Sequence, residues 1–295
     1  MSEVIRGLWA AMATPLDAEG NVDHAAFVRH GNWLIEHGCD GLVPFGTTGE
    51  GPSFSAGERL AATEALLKAG IPADTIALGT GFPAIPDTVE LTRQAMALGL
   101  THMLVLPPFY FRKVTEQGLE DAFAAIVDGV GSNRLRATLY HIPSVSGVAI
   151  PAAVLGRLRR RFGAIVAGVK DSSGEFSNFL QFRKAAPDCG CLTGSEEHIA
   201  RALAAGGTGT ICGMANLVPD LVRAMFAGGA GEAAMRAACE PFADGDVLPN
   251  LKATLAALSG DATWRAVRPP LRAADPAVGA RIAATLRGLQ ARRAA

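Results

Sequence analysis

The stretch RATLYHIPSVSGVAIPAAVLGRLRRRFGAIVAGVKDSSG, Arg136–Gly174, reads as strand, helix, strand and turn. Residues 136–140 form a short strand ending on Tyr140. Residues 151–160 form a helix, with Pro151 suited to its first turn and Arg159, Arg160 and Arg161 favourable at its carbonyl end. The small and apolar run Ala164–Val169 reads as a buried strand that ends on Lys170 and empties into the turn Asp171-Ser172-Ser173-Gly174. The chain has five lysines against 22 arginines, and Lys170 alone among the lysines ends an apolar strand. An ordinary lysine has a pKa of about 10.4, and bringing one to about 7 takes about 4.6 kcal/mol of differential destabilisation of the ammonium. A partly dry strand end can supply that and a solvated helix face does not. The plainer reading is a lysine whose stem packs while its amine snorkels to water.

Outward from this stretch the same alternation repeats. Strands are expected near 9–14, 41–45, 75–79, 102–106, 136–140, 164–170, 191–193 and 208–212, with helices near 23–37, 55–69, 87–98, 116–130, 151–160, 175–186, 197–205 and 217–227. Eight such units in about 220 residues predict an α/β protein built as a (β/α)8 TIM barrel, with a doubly wound open sheet as the alternative. Ser55-Ala56-Gly57-Glu58 is a capping box, and Gly206-Gly207 ends a helix and is no phosphate loop. The barrel is assigned to residues 1–229. Residues 230–295, rich in Ala and Arg with helical patterns near 231–243, 248–259 and 275–293, are assigned to a C-terminal helical extension packed on it.

Composition narrows the function classes. The chain has 295 residues, 49% hydrophobic and 19% charged, enough for a large globular core. A net charge of −1 argues against nucleic acid as the main partner. No apolar run reaches membrane-spanning length and the first residues show no signal-peptide core, so no membrane partner and a cytoplasmic location are expected. The five cysteines are odd in number and lack metal-ligand spacing. His24, His30 and His37 decorate one helix. Neither a metal nor another cofactor is expected.

Catalytic groups of such barrels come from the C-terminal ends of the strands. Those ends give Gly46-Thr47-Thr48-Gly49-Glu50, Pro107-Pro108-Phe109-Tyr110, Tyr140-His141-Ile142-Pro143 and Lys170. Tyr110, Tyr140 and Lys170 are spaced by 30 residues, one strand-helix unit, and these are the only two tyrosines in the chain. Either tyrosine alone would read as a half-buried aromatic with a partnered hydroxyl; in phase with the lysine they read as one reactive set. The Gly-Thr-Thr-Gly turn offers hydroxyls and free N–H groups that suit a small carboxylate. Its glycine spacing does not fit a dinucleotide loop.

The segments Gly46-Thr-Thr-Gly-Glu50, Pro-Pro-Phe-Tyr110, Tyr140-His-Ile-Pro143 and Gly168-Val-Lys170-Asp together resemble the dihydrodipicolinate synthase / N-acetylneuraminate lyase family, over nearly the whole chain. The resemblance implies that Lys170 forms a Schiff base with pyruvate or another 2-keto acid, whose protonated imine acts as an electron sink. It implies that Tyr140 is the general acid/base, that Thr47 links Tyr140 to Tyr110 in a proton relay, and that Thr48 and the turn amides, Gly46 among them, hold the keto-acid carboxylate. Ile211 would pack against bound pyruvate and Gly194 would line the pocket. Tyr110 would be lent by a neighbouring subunit of a homodimer, often paired into a dimer-of-dimers tetramer.

Two positions depart from the family pattern. The family's dihydrodipicolinate synthases carry an arginine where this chain has Val145, and that arginine binds the carboxylate of aspartate semialdehyde. Weak activity with that aldehyde is expected here. Ser172, two residues after the lysine, is a polar candidate for the second-substrate pocket, and the segment Gly194-Ser195-Glu196-Glu197 resembles the part of neuraminate lyases that holds sugar hydroxyls, although Glu196 and Glu197 also suit a first helical turn. Gly213 stands where neuraminate lyases have a serine. The expected substrates are pyruvate with an aldehyde, or a 2-keto-3-deoxy sugar acid. An authentic 4-hydroxy-tetrahydrodipicolinate synthase, a non-catalytic 2-keto-acid-binding relative and a metal-enolate aldolase are the alternatives.

Overall fold

Eight strands, β1 (Gly7–Ala10), β2 (Gly41–Leu42), β3 (Ala77–Gly79), β4 (His102–Val105), β5 (Arg136–His141), β6 (Val166–Asp171), β7 (Gly190–Thr193) and β8 (Gly209–Cys212), lie in the order β2-β1-β8-β7-β6-β5-β4-β3. Every ladder between neighbours is parallel. The two ends of the sheet meet at a parallel bridge between Leu42 and Ile76, and the Gly79 N–H donates to the Pro44 carbonyl at 3.0 Å. The strands therefore close into the expected barrel. The computed structural model describes residues 3–227, 231–243 and 246–294. The expected boundary between residues 229 and 230 lies outside the described residues.

Between the strands run α1 (His24–Glu36), α2 (Ala56–Lys68), α3 (Ile85–Ala97), α4 (Glu116–Val130), the short α5 (Pro143–Ser146), α6 (Ala152–Phe162), α7 (Phe176–Ala185), α8 (Ile199–Ala204) and α9 (Pro219–Ala224). Three further helices follow: α10 (Glu232–Cys239), α11 (Val247–Ser259) and α12 (Pro276–Ala294). The Ser55 hydroxyl accepts from the Glu58 N–H while Glu58 reaches back to the Ser55 N–H, so the box read from the sequence forms. Strand alternation splits the apolar residues into two clusters. Outward side chains such as Leu8, Leu42, Met103 and Val169 pack under the helices. Inward side chains such as Trp9, Val43, Leu104, Leu192 and Ile211 fill the barrel, with Tyr140 among them.

The strand expected over 41–45 stops at Leu42. Pro44 has no N–H to give a ladder, and Phe45 turns into the left-handed region at φ 56. The backbone there comes so close to β3 that a Cβ on Gly79 would lie 2.2 Å from the Phe45 carbonyl oxygen. This early turn starts the Gly-Thr-Thr-Gly segment. The one-turn helix α5 was not anticipated from the sequence; it places Val145 in the open, 63% exposed.

The C-terminal helices are bolted to the barrel by polar groups. Lys252 of α11, fully buried, donates to Glu50 Oε1 at 2.6 Å and to the Thr14 carbonyl at 2.8 Å. The other Glu50 oxygen accepts from the Arg268 N–H at 3.0 Å, and the Arg268 guanidinium donates to the Gly20 and Ser53 carbonyls and to Glu58.

Candidate active site

β5 and β6 pair with Tyr140 opposite Lys170 and His141 opposite Asp171. Because Val169 belongs to the outer cluster, alternation turns Lys170 into the barrel mouth. Lys170 is 4% exposed and Tyr140 3%. The Lys170 Nζ lies 4.3 Å from the centroid of the Tyr140 ring. The Tyr140 hydroxyl lies 3.1 Å from Thr47 Oγ1, and either oxygen can donate. Among the described residues no carboxylate forms an ion pair with Lys170. An amine must be neutral to attack a carbonyl, and an adjacent carboxylate would favour its charged form.

The outward neighbours hold this pair in place. His141 Nδ1 accepts from the Ile150 N–H at 2.9 Å, so its proton sits on Nε2, 3.9 Å from Asp171 Oδ1. Burial pushes the His141 pKa below the usual histidine range, against the pull of Asp171. Asp171 also accepts from the Ser173 N–H at 3.0 Å, fixing the turn that follows the lysine.

The Gly-Thr-Thr-Gly turn faces the same mouth. Glu50 donates its N–H to Thr47 and Gly51 donates to Gly46, both at 3.0 Å, whereas the N–H groups of Thr47, Thr48 and Gly49 have no acceptor among the described residues. The glycines are required by close approach: a Cβ on Gly49 would lie 2.7 Å from the Met12 carbonyl oxygen, and one on Gly51 2.1 Å from that of Phe45. Of these residues Thr47 and Thr48 line the cavity, and their free amides with the Thr48 hydroxyl offer donors suited to a carboxylate.

A cavity of about 560 Å³ opens between this turn and Lys170. Thr47, Thr48, Tyr140, Val145, Lys170, Ser172, Gly194, Glu196 and Ile211 all line it. Gly194 is there because nothing larger fits: a Cβ would lie 1.9 Å from Ser172 Oγ and 2.9 Å from Lys170 Cε. Gly46 is buried behind the turn and does not line the cavity. Tyr110 stands apart on the segment after β4, 79% exposed and packed edge-on against Phe111 at 5.4 Å.

Glu196 has a role that its sequence context did not reveal. Its Oε1 accepts from the N–H groups of Gly213 and Met214, both at 3.0 Å. That oxygen braces the turn after β8, and only Oε2 is left for a ligand. The sequence reading also missed Asn216. Its carboxamide accepts from the Ala13 N–H and donates to the Ala11 and Gly213 carbonyls, tying β1 to β8 at the mouth. Phe242, Val247 and Leu251 bring the C-terminal helices into the cavity wall. The helical periodicity of that region was readable, but not which face meets the barrel mouth. Lys170 is the only lysine or arginine among the described lining residues. Among the described residues no group of three or more His, Cys, Asp or Glu side chains is placed to hold a metal ion, and no helix is long and apolar enough to cross a membrane.

Comparison with known proteins agrees with this architecture. The sequence model of the Dihydrodipicolinate synthetase family matches residues 4–241. An uncharacterised DapA-like lyase of Chloroflexus aurantiacus is 38% identical over 222 residues, 75% of this chain and 74% of its own. A 4-hydroxy-tetrahydrodipicolinate synthase of Acidiphilium cryptum is 33% identical over 225 residues, 76% of this chain and 75% of its own. The crystal structure of dihydrodipicolinate synthase from Agrobacterium tumefaciens superimposes with a TM-score of 0.92 at 34% identity, covering 97% of this chain and 99% of that one. The chain belongs to the dihydrodipicolinate synthetase family and is a lyase of that family.

Proposed function

We propose that the chain is a Schiff-base lyase that condenses pyruvate with an aldehyde, or cleaves the corresponding 2-keto-3-deoxy acid, through Lys170. The observation that carries this reading is the buried Lys170 amine over the Tyr140 ring, with the Tyr140 hydroxyl in contact with Thr47. The amine adds to the C2 carbonyl of pyruvate, and water leaves to give the protonated imine. Loss of a C3 proton gives an enamine, whose carbon attacks the aldehyde; hydrolysis of the product imine returns the amine. Tyr140 carries protons to and from the departing oxygen and C3, with Thr47 orienting its hydroxyl. The amides of Thr47 and Thr48 and the Thr48 hydroxyl hold the pyruvate carboxylate, and Ile211 packs against the methyl side.

Tyr110 enters as a residue lent to a second copy. Tyr110 and Phe111 are 79% and 74% exposed on one segment, and burying them against a partner would remove a large apolar surface from water. Subunit mixing tests this part: equal amounts of Lys170→Ala and Tyr110→Phe proteins, dissociated and reassembled together, should regain activity that neither has alone.

Incubation with pyruvate and borohydride, then peptide mass spectrometry, tests the main reading. A reduced pyruvate adduct on Lys170 is expected; an unmodified Lys170 under conditions where pyruvate binds would overturn it. A second reading, an authentic 4-hydroxy-tetrahydrodipicolinate synthase, is favoured by relatives of that name at about a third identity. Against it stands the cavity wall, where Val145 is a lining residue and Lys170 is the sole lysine or arginine among the described ones. Rates with aspartate semialdehyde and with a panel of 2-keto-3-deoxy acids separate the two.

A further inference from the structure

A second cavity, of about 410 Å³, lies between α1, the turn after β8 and the end of α11. His30, Trp33, Leu217, Leu258 and Trp264 form its walls, and Arg29 and Asp261 also line it. The His30 ring is stacked with Trp33 at 5.8 Å and meets Trp264 edge-on at 4.7 Å. The size suits a small organic molecule rather than a single water, and the mixture of apolar walls with a few polar groups is the pattern of ligand sites.

The chemistry of the floor follows from one carboxamide. Asn216 Oδ1 accepts from the Ala13 N–H at 3.0 Å, while its Nδ2 donates to the Ala11 and Gly213 carbonyls at 2.8 Å each. Asn216 therefore presents only its oxygen to His30 Nε2, 2.8 Å away, and Nε2 must carry the proton. His30 is 7% exposed, and burial pulls its pKa down to about 4, so the ring is neutral and Nδ1 is a bare acceptor. No described residue donates to Nδ1. Nδ1 is not among the fully buried atoms that lack a partner; it keeps access to solvent, and a ligand donor there takes the place of water.

We propose that this cavity is a binding site for a small planar aromatic molecule bearing a ring N–H or O–H, whose donor meets His30 Nδ1 while its ring packs among the inclined indoles of Trp33 and Trp264, against one by its face and the other by its edge. Arg29 and Asp261, of opposite charge, then discriminate acidic from basic substituents on the ring. The site is separate from the Lys170 cavity and rests on nothing assumed about the reaction there. Asn216 of this cavity donates to the carbonyl of Gly213, which lines the Lys170 cavity.

Calorimetric titration of the full-length protein with indole and with 1-methylindole tests the proposal. Indole should bind saturably with pyruvate already present, and 1-methylindole, which keeps the ring but lacks the donor, should bind at least about tenfold more weakly. Indole should also shift the His30 Nδ1 resonance in histidine-labelled protein. Leu258→Trp, which fills the cavity from its rim, should abolish indole binding while leaving adduct formation with pyruvate intact. Absence of indole binding, equal affinity for the two indoles, or competition by pyruvate would each overturn the proposal; so would unchanged indole binding in Leu258→Trp protein that still forms the pyruvate adduct.

Discussion

Lys170 and Lys252 are both buried, 4% and 0% exposed, yet the two regions around them use a lysine in opposite ways. Lys252 gives its protons to Glu50 and to the Thr14 carbonyl, and every contact it makes favours the charged amine. Burial still pushes its pKa below the ordinary lysine range, opposed by Glu50. Lys170 has the face of Tyr140 and an open cavity in front of it, with no ion-pair partner among the described residues. Burial alone does not suit an amine to the nucleophilic role proposed for Lys170. What separates the two amines is whether the space in front of the nitrogen is filled by a carboxylate or left for a substrate.

The largest expected effect comes from exchanging the two losses. Lys170→Ala should eliminate the borohydride-trapped pyruvate adduct and lower turnover by several orders of magnitude, with little loss of stability. Lys252→Met should do the reverse: the adduct still forms, while urea denaturation shows a loss of about 3–5 kcal/mol from leaving Glu50 buried and unpaired. If Lys252→Met were fully stable but unable to form the adduct, the division of roles would be wrong.

Within the Lys170 region, Tyr140→Phe should lower kcat by about 10²–10⁴-fold, as expected for removal of a general acid/base, while the adduct still forms slowly. A kcat unchanged in Tyr140→Phe would transfer the proton work elsewhere. Within the C-terminal seam, His30 provides a pH test. Its folded pKa is about 4 against an ordinary 6.5, so between those values the unfolded chain binds a proton that the folded chain does not. Stability should therefore fall as pH drops from about 6.5 to about 4, by roughly 3 kcal/mol from this group. Denaturation midpoints across that range should flatten in His30→Phe. The smallest effect is at the capping box beside Arg268: Ser55→Ala should cost about 1 kcal/mol without touching adduct formation.

Much of the barrel was legible because its signals are local. The run Val166–Val169 is apolar throughout, as a strand buried on both faces must be, while Ala164 and Ile165, expected in the strand, form a single 3-10 turn before it; Ser55 with Glu58 sets a helix start within four residues. The convergence of Thr47, Tyr140 and Lys170 was also readable, since parallel strands at a common phase put their ends on one rim. The end of β2 was misplaced by a few residues because Phe45 adopts a positive φ that no β-prone aromatic advertises. Glu196 read as a free acid near a helix start. Its commitment to the Gly213 and Met214 amides depends on how two loops from different strands meet.

The sequence by itself determined the eight strand-helix steps, the inward phase of Lys170 and Tyr140, and the family, since alternation, periodicity and short motifs act over a few residues. Tertiary structure alone decided that Lys252 would find Glu50 across 202 residues, that Phe242, Val247 and Leu251 would wall the cavity, and that His30 would face an open space with one nitrogen unmatched. These outcomes are set by packing between distant elements, where a side chain's environment is a sum over neighbours that no local pattern encodes.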